Sequence, residues 1–573
     1  MIGKRSFLIL VLSLSSFVGY AQQNNNLAKI QGVVLDGSLP GDVPVAYATV
    51  QLSPQNLYAI TSDQGNFEIA NIEPGQTNLK VQFIGMQDID TTFNIVSGKV
   101  YQLTFRMTET SFRLEEVTVS ATQSKAGAAT ASNISRQAMD HLQTSSIGDV
   151  MQLLPGAAMV NSDLSSANNF TIRAVGGSSS QDDGAKMNSL GTSIIIDGAP
   201  MSNNANLQAL APSITGSGAP IGGGSSAESG VDLRGISTDN IESLEVIRGI
   251  ASVEYGDMTS GVVAVKSKVG AEPLSVRFKT NPYTYQAAVS KGLKLGKKAG
   301  TLNLSGDYAY NSTKQTEAYA YYQRVNLKGV WFKTFDHFNM NTTATFNYRK
   351  DSRDLNPDDL RTQLRNGARE VGFRITNNGT WSPSNASWFK SLSYSFAFSY
   401  ANKLSFEEKL LENAFAPYSM SVIDGSVISN VAGADVFDKE GNKITNFDSS
   451  EKGFYTTYLP NAYFSRYDIY GEELNAFAKL IAKFSHRWDN ISNNILLGLE
   501  FKTDGNLGKG IVYDMDTPPL RNTSVENSSY RPRKFSDIPF LNQFSAYAEY
   551  TYLHNIADKR EFKVVAGVRY DQY

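Results

Sequence analysis

Apolar and polar side chains alternate in run after run along the second half of the chain, from about residue 271 to residue 573. Successive side chains of a β-strand point to opposite faces of the sheet, so each run predicts a strand with one apolar face. Short turns such as 296–300 alternate with long stretches at 351–370, 404–471 and 504–536. A soluble β-sandwich and a membrane β-barrel share this pattern, so the period predicts a sheet without deciding which solvent surrounds it. Three of the runs contain Leu302, Leu304, Tyr308 and Tyr310; Leu392, Tyr394, Phe396, Phe398 and Tyr400; and Phe544, Ala546, Ala548, Tyr550 and Tyr552.

Composition excludes several other classes of protein. The chain has no cysteine, so neither disulfide bonds nor thiolate chemistry is available to it. A formal net charge of −3 argues against a general nucleic-acid binder. A transmembrane helix needs about 20 consecutive apolar residues, and none is found beyond the N-terminus. A transmembrane strand needs only about 9–11 residues with one apolar face, which the alternating runs provide.

Residues 1–21 have the features of a secretory signal peptide. Lys4 and Arg5 precede the apolar run 7–14, and the small residues Gly19 and Ala21 follow it. We expect cleavage after Ala21, and a single N-terminal membrane anchor is the alternative. No cysteine follows the apolar run, so a lipoprotein is not predicted.

Residues 30–107 contain short alternating segments with turn residues between them, as at 63–66 and 74–75. Six or seven short strands in so short a segment predict a small β-sandwich of immunoglobulin-like outline. The segment has no histidine and therefore cannot build a zinc site of the His/Glu type. A spacer or docking module is the simplest interpretation. The predicted strands are 30–36, 45–52, 66–72, 77–83, 91–96 and 99–107.

A strand–turn–strand unit lies between residues 239 and 268. Its first strand, 241–247, alternates apolar with acidic or small residues, and its second, 261–266, is rich in valine. Gly249, Gly256 and Gly261 suit bends or close backbone contacts that a Cβ would obstruct. The unit predicts part of a small sheet.

Upstream of this unit the sequence predicts a helix and two further strands. Capping-box spacing at 146–149 begins a short apolar helix, which Pro155-Gly156 ends. Residues 170–173 and 193–197 have strand composition, and Gly198 closes the second of these strands.

In this order the pieces resemble the plug domain of TonB-dependent outer-membrane receptors, through IESLEVIRG, SVEYG and SGVVAVKSK together with the TIR and IIIDG strands. The resemblance implies a plug at 134–268 that fills the lumen of a transmembrane barrel begun by residues 271–573. Plugged barrels have about 22 strands, so it also implies that this sequence is the N-terminal part of a longer protein. The expected fold is mainly β: a signal peptide, a small β-sandwich, an α+β plug and the N-terminal part of an antiparallel transmembrane β-barrel. The signature residues that match the family are Arg173, Asp197, Gly198, Glu245, Arg248, Gly249, Tyr255, Gly256 and Gly261.

The first arginine of this signature departs from the family pattern. Ala174 follows Arg173 where the family commonly has glycine, and a second Arg-Gly pair, Arg234-Gly235, occurs later. The register of this part of the plug stays open between the two.

Residues 30–107 resemble the carboxypeptidase regulatory-like domain. The resemblance rests on Gly32-x-Val34-x-Asp36, on the alternation at 46–52, and on the turn at 61–65. The family name implies no peptidase activity. Such extensions occur on TonB-dependent receptors of Bacteroidetes type, which the resemblance implies as the source.

Between the sandwich and the plug, LEEVTVSA resembles the TonB box, the strand by which the periplasmic protein TonB grips such receptors. Strand addition relies on main-chain hydrogen bonds and demands little of side chains. Val117 and Val119 favour an extended backbone, and the small residues of 122–132 give the strand reach. An ordinary linker, or a last strand of the sandwich, is the alternative. The TonB-box residues are Leu114, Glu115, Glu116, Val117, Thr118, Val119, Ser120 and Ala121.

Two long polar insertions, 176–191 and 201–230, interrupt the plug. Loops of this length are usually functional or disordered, and in this family the apical plug loops touch the ligand. Packing against the barrel wall is the alternative for any single residue. The spacing of an EF-hand is absent, so no metal site is predicted. The ligand-binding candidates are Gln181, Asp182, Asp183, Asn203, Asn204 and Asn206.

The resemblance implies active import of a scarce ligand across the outer membrane by TonB-driven rearrangement of the plug. The expected partners are TonB with its inner-membrane energy complex, outer-membrane lipid and an unknown ligand, without nucleic acid. A siderophore, haem, cobalamin, a peptide or a glycan is the ligand class, and the sequence 249–254 differs from the usual one of SusC-like glycan importers. A SusC-like importer with a surface lipoprotein as its lid is nevertheless an alternative.

A surface adhesin or receptor that uses the sandwich and the outer loops is a further alternative. The four histidines, His141, His337, His486 and His554, lie far apart and match no triad or metal motif. We therefore predict no catalytic residues, no cofactor, no metal and no enzymatic activity.

Overall fold

The computed structural model describes residues 27–37, 43–45, 48–55, 57–62, 64–83, 86, 88–107, 130–154, 164–165, 167, 172, 191–208, 230–248, 251–296, 298–312, 319–361, 363–383, 388–412, 417–420, 427–429, 436–437, 443–444, 457–458, 462–488, 490–514, 517, 519, 533–557 and 560–573.

The first domain is a sandwich of two small sheets. Its described strands are β1 (Ala28–Asp36), β2 (Val43–Pro44), β3 (Thr49–Ser53), β4 (Leu57–Ile60), β5 (Asn66–Ile72), β6 (Gly75–Gln82), β7 (Ile89–Ile95) and β8 (Val100–Met107). One sheet has the order β2-β1-β5 with β8 parallel to β1, and the other has the order β4-β3-β6-β7. Ile30, Val50 and Leu79 are buried in the core between them, as the predicted sandwich requires. β4 is not among the predicted strands because its mostly half-buried side chains do not alternate.

The second domain is a small mixed sheet with short helices. Its described elements are β9 (Thr130–Ser135), α1 (Arg136–Leu142), a 3₁₀ helix (Ile147–Leu153), β10 (Thr192–Ile196), β11 (Ala199–Pro200), a second 3₁₀ helix (Leu233–Gly235), β12 (Ile241–Arg248) and β13 (Gly261–Ser267). The sheet order is β11-β10-β13-β12-β9. β12 and β13 pair antiparallel, so the predicted strand–turn–strand unit is the centre of this sheet. Ile134, Ile194, Leu244 and Val263 contribute to its core.

The capping box predicted at 146–149 is present, and it begins a 3₁₀ helix rather than an α-helix. The Asp149 carboxylate accepts hydrogen bonds from the backbone N–H groups of Ser145 (2.7 Å) and Ser146 (2.9 Å). Val150 and Leu154 are buried on the core side. The carboxylate thus satisfies backbone donors at the start of the helix, where none has an intrahelical partner.

The third part is one large antiparallel sheet. Its long strands are β14 (Ser275–Thr280), β15 (Thr284–Gly296), β16 (Gly300–Ser312), β17 (Ala320–Thr334), β18 (Phe338–Arg353), β19 (Arg365–Trp381), β20 (Phe389–Glu412), β26 (Ala462–Trp488), β27 (Ile491–Asn506), β29 (Leu541–Ala557) and β30 (Arg560–Gln572). They pair in that order, and β28 (Gly510–Tyr513) adds to β26. Short strands lie between β20 and β26: β21 (Pro417–Met420), β22 (Val427–Ser429), β23 (Val436–Phe437), β24 (Lys443–Ile444) and β25 (Thr457–Tyr458). A 3₁₀ helix (Phe535–Asp537) precedes β29.

This large sheet is polar on the face toward the second domain and apolar on the opposite face. On β16, Asn303 and Asp307 are buried, whereas Leu304 and Tyr308 are 48% and 44% exposed. Water-soluble sheets bury their apolar face, so the exposed apolar face of this sheet calls for an apolar solvent. The ambiguity of the alternating pattern is resolved in favour of the wall of a membrane barrel.

Two strands are longer than a bilayer requires. β20 has 24 residues and β26 has 27, whereas about 9–11 residues cross a membrane. The residues 404–412 and 462–471, which the sequence assigns to a long loop, therefore continue these two strands.

The large sheet curves around the second domain, because strands from β14 to β30 contact it. Side chains that reach it include Arg277, Arg324, Arg374, Lys479 and Arg569. None of the helices in the described part of the chain combines the length and the apolar content that crossing a membrane requires.

Candidate functional site

The turn after β10 fixes the plug sheet internally. Asp197 and Gly198 both have positive φ, 50° and 81°, a conformation that glycine adopts at little cost. The Asp197 carboxylate accepts hydrogen bonds from Ser267, from its backbone N–H at 2.9 Å and from its hydroxyl at 2.7 Å. The IIIDG motif therefore joins the ends of β10 and β13.

The same turn is held by the wall. Asn378 donates to the Asp197 carbonyl at 2.7 Å, and Ser395 donates to the Gly198 carbonyl at 3.2 Å. Arg374 donates to the carbonyl groups of Ala199 (3.1 Å) and Pro200 (3.0 Å). Side chains on β19 and β20 thus bind the plug through its backbone.

Arg234 is a deeply buried link between the plug and the wall. Its guanidinium lies 2.9 Å from the carboxylate of Asp232 and 2.9 Å from that of Asp351 on β18. It also stacks over the ring of Tyr322, with 4.3 Å between the guanidinium carbon and the ring centroid. Arg234 is 1% exposed. The second Arg-Gly pair of the sequence therefore supplies a buried arginine with contacts to two wall strands, β17 and β18.

A second buried arginine reaches the plug from the wall. Arg324 on β17 is 0% exposed and pairs with Asp307 on β16 at 2.9 Å. Its remaining donors bind the carbonyl oxygens of Arg234 and Ser145. Arg324 thereby connects the 3₁₀ helices at 147–153 and 233–235 with the wall.

Burial alone would raise the pKa of Asp232, but Arg234 and Arg349 hold it below its ordinary value. Burial and the two aspartates act in opposite directions on Arg234, and the net shift of its pKa is upward. Both shifts favour the charged forms of the two groups at neutral pH. The pair acts as a fixed electrostatic contact.

The turn between β12 and β13 contacts the opposite side of the wall. Lys479 on β26 donates to the Glu254 carbonyl at 2.9 Å, and Arg569 on β30 donates to the Val253 carbonyl at 3.2 Å. Asp257 pairs with Lys502 on β27 at 3.1 Å. The SVEYG motif is therefore a docking loop of the plug.

The remaining signature residues have roles inside the plug sheet. Arg248 donates to the hydroxyl of Ser132 on β9 at 3.0 Å. Glu245 lies on β12, opposite Ala264 of β13. A Cβ on Gly261 would lie 2.6 Å from the carbonyl oxygen of Ile247, so only glycine allows these two strands to approach at this point.

The asparagine candidates are already engaged with neighbouring groups. Asn204 donates to Asp504 on β27 at 3.0 Å, and Asn206 donates to the side chain of Asn203 at 3.1 Å. Asn206 is 1% exposed. Contact of these three amides with a ligand stays a prediction. A ligand that binds them would have to replace their present hydrogen bonds to the wall and within the loop.

A cavity of about 320 Å³ lies between the plug and β26, β27 and β29. It brings together several predicted residues, since Gly198, Asn203, Asn204, Tyr255 and Gly256 all line it. Charged side chains also line it: Glu254, Asp257, Lys479, Glu500 and Lys502. A cavity of this size and polarity suits a small polar ligand or ordered water.

Other predicted site residues lie outside the described residues. They are the whole TonB box, 114–121, the signature residues Arg173 and Gly249, and the candidates Gln181, Asp182 and Asp183. The predicted strand 170–173 is also outside them, apart from Ile172, which is in a bend and buried.

Within the described ranges, no group of three or more His, Cys, Asp or Glu side chains is placed to hold a metal ion. The charged groups of the plug–wall contact instead pair with each other, as Asp232, Arg234 and Asp351 do. The arrangement holds one domain against another.

Two family models match the N-terminal half of the chain. One, described as the TonB-dependent Receptor Plug Domain, matches residues 123–263. The other, described as the CarboxypepD_reg-like domain, matches residues 30–119. These matches confirm the two domains that the motifs predict. No curated protein matches the chain.

Several solved structures are similar to the chain at low sequence identity. The siderophore receptor PirA from Acinetobacter baumannii is 14% identical, with 77% of this chain and 56% of that chain covered and a TM-score of 0.40. The ferric-catecholate import receptor Fiu from E. coli K12 is 11% identical, with 78% and 60% covered and a TM-score of 0.44. A mutant of the ferric enterobactin receptor PfeA from Pseudomonas aeruginosa is 15% identical, with 77% and 57% covered and a TM-score of 0.41. The chain thus spans less than two thirds of the length of each of these receptors.

Proposed function

We propose that the chain is part of a TonB-dependent receptor that serves in active import of a scarce ligand across the outer membrane, since family models of a TonB-dependent receptor plug and of a carboxypeptidase regulatory-like domain match it. The observation that carries the proposal is the seating of the plug on the polar face of a sheet whose other face is apolar. Arg324, 0% exposed, binds plug carbonyl groups on the inner face, while Leu327 on the same strand is 52% exposed on the outer face. A plug on the inner face of a membrane sheet closes a pore until it is moved.

The proposed location is the outer membrane, with the sandwich and the TonB box on the periplasmic side. The short connections from β17 to β18 and from β19 to β20 support that side, since barrels of this kind have short periplasmic turns and long outer loops. The sandwich contacts this end of the sheet, where Tyr58 meets Asn339 and Glu73 meets Lys390. This contact supports the same side for the segment 108–129 that joins the sandwich to the plug.

The plug is moved, in this proposal, by TonB pulling on residues 114–121. Added as an extra strand to a sheet of TonB, the box makes a few main-chain hydrogen bonds of about 1 kcal/mol each. Such capture is weak and reversible, on the order of micromolar. The first plug element after the box is β9, which lies at the edge of the plug sheet and pairs with β12 alone among the described strands. Tension on the box therefore reaches the plug through a single pair of strands.

Val117→Pro tests the coupling. Proline removes a backbone donor and resists pairing in a sheet, so we expect the variant receptor to lose binding to the purified periplasmic domain of TonB and to lose energised uptake. Ala126→Pro, the same change outside the box but in the same connecting segment, serves as the control and should bind normally. Unchanged TonB binding by Val117→Pro would remove the assignment of the box.

The ligand class is open among siderophore, haem, cobalamin, peptide and glycan. The cavity beside Asn203, Asn204 and Tyr255 is the proposed ligand-side surface of the plug. Growth of a deletion strain on defined sources of iron, cobalamin and glycan separates these classes, because each class restores growth only where its own nutrient is limiting.

A further inference from the structure

Among the described residues, the carboxypeptidase regulatory-like domain touches the turn end of the wall through Tyr58 and Glu73. The hydroxyl of Tyr58 on β4 lies 2.5 Å from the amide nitrogen of Asn339 at the start of β18. Glu73, just after β5, pairs with Lys390 at the start of β20 at 3.4 Å. Both contacts are polar and join segments far apart in the sequence.

The ion pair is the stronger restraint of the two. The side chains of Lys390 and Glu73 are 8% and 9% exposed, so their attraction is little screened by solvent. Gln55 holds Glu73 in place, donating to its carbonyl at 2.8 Å and accepting from its N–H at 3.0 Å. Removing Lys390 would leave a buried carboxylate without its cation, which is costly.

The rest of the contact is open. A cleft of about 990 Å³ lies between the sandwich and the turns, with Phe67 and Glu68 on one side and Phe335 and His337 on the other. Interfaces between domains of one chain resemble transient protein–protein interfaces and are more polar than obligate ones. A few polar contacts around an open cleft can therefore form and break without exposing a large apolar surface.

We propose that the sandwich docks reversibly on the turn end of the wall through Glu73 and Lys390, and that this dock restrains the segment 108–129. The inference rests on the proposed function for its consequence, because that segment contains the TonB box. With the sandwich docked, the segment is tethered at Met107 on one side and at Thr130 on the other. Release of the dock leaves it tethered at one end only and lengthens its reach toward TonB.

Crosslinking in the full receptor tests the dock. The given sequence has no cysteine, so Tyr58→Cys with Asn339→Cys introduces a pair that is unique within it and that a short flexible bismaleimide can join. In native outer membranes we expect efficient joining, reduced about ten-fold by Glu73→Lys and restored by Glu73→Lys with Lys390→Glu. Equal yields in all three backgrounds, or no joining in the parent, would overturn the dock.

A matched pair within the sandwich controls for the reagent. Lys29 and Glu68 lie 2.8 Å apart on neighbouring strands, so Lys29→Cys with Glu68→Cys should be joined equally in every background. A fall in this control together with the test pair would point to misfolding of the sandwich and would count against a specific dock.

The restraint is measured by binding of the periplasmic domain of TonB to the joined and unjoined receptor. We expect the joined form to bind about ten-fold more weakly, a change of about 1.4 kcal/mol. Equal binding overturns the restraint. Absence of binding even to the unjoined receptor identifies a failure of the proposed function instead, because the dock itself is scored by crosslinking alone.

Discussion

Arg234 is charged, 1% exposed, and shared between an aspartate of the plug and an aspartate of the wall. Replacing it with leucine removes the guanidinium that lies 2.9 Å from each of the buried carboxylates of Asp232 and Asp351. Breaking a buried ion pair costs about 3–5 kcal/mol, so we expect Arg234→Leu to lower the thermal midpoint of the purified receptor and to make the plug more susceptible to protease. Thermal unfolding in detergent and limited proteolysis measure the two effects.

Arg466 on β26 provides a matched control for this prediction. It pairs with Asp468 at 2.8 Å and with Glu408 at 3.5 Å, but its side chain is 44% exposed. Exposed pairs contribute about 1 kcal/mol or less, so Arg466→Leu should leave both measurements nearly unchanged. Equal effects of the two substitutions would contradict a special role for the buried arginine.

Some roles of single residues are predictable from the sequence, and others depend on distant partners. The turn at Asp197 and Gly198 is predictable because it depends on a local backbone conformation, and a glycine in the sequence indicates that conformation. Arg234 is visible in the sequence only as a second Arg-Gly pair. Arg234 links the plug to the wall through Asp351, which is 117 positions away in the chain. No local sequence pattern predicts a partner at that distance.

At the scale of elements, two glycines of the plug offer a contrast. A Cβ on Gly261 would lie 2.6 Å from the backbone oxygen of Ile247, whereas on Gly256 it would lie 2.4 Å from the end of the Arg569 side chain. A flexible side chain can move away, but the neighbouring strand cannot. We expect Gly261→Ala to destabilise the plug by about 1–3 kcal/mol and Gly256→Ala to cost much less, as measured by hydrogen exchange of β12 and β13.

An equally large loss of protection in Gly256→Ala would contradict this explanation. It would mean that the position of Arg569, and with it the contact to the wall, governs the stability of the plug sheet.

The elements themselves are predictable to differing degrees. β12 and β13 follow from a local alternation of side chains and a glycine-containing turn. The sheet order β11-β10-β13-β12-β9 does not, because it brings together strands separated by long polar insertions. The sequence also does not predict the outer ends of β20 and β26. These ends pair with each other, but they contain polar residues that are typical of loops.

At the scale of the whole molecule, the outer face of the sheet presents a continuous apolar surface. Leu304, Leu327, Phe346 and Phe373 lie on four neighbouring strands and line one shallow groove. An arginine at the bilayer midplane of such a surface costs about 2–4 kcal/mol. We expect Leu327→Arg, introduced into the native gene, to reduce the amount of receptor assembled in the outer membrane. Membrane fractionation and heat-modifiable gel mobility measure that amount.

Leu360→Arg is the control for position. Leu360 is 85% exposed in the loop between β18 and β19, where water is the expected solvent, and the same change should have little effect there. If both variants assembled normally, the assignment of the apolar face to lipid would be wrong.

The global arrangement is predictable only through the resemblance. Alternation alone gives each strand one apolar face but does not say whether that face points inward or outward. The structure decides this through burial, since Asn303 and Asp307 are covered while Leu304 is not. Which face is covered depends on the plug, and the plug is a different stretch of the chain.

The polar character of the plug–wall contact has a mechanical consequence. The plug closes its own apolar core. Many of its described links to the wall are hydrogen bonds and ion pairs, as at Asn378, Arg374 and Lys479, beside small apolar contacts such as that of Ala199 with Ala397 and Phe477. Water that enters behind a displaced plug can take over each of these links in turn. In the proposed import cycle, the plug would therefore leave and regain its position without exposing a large apolar surface.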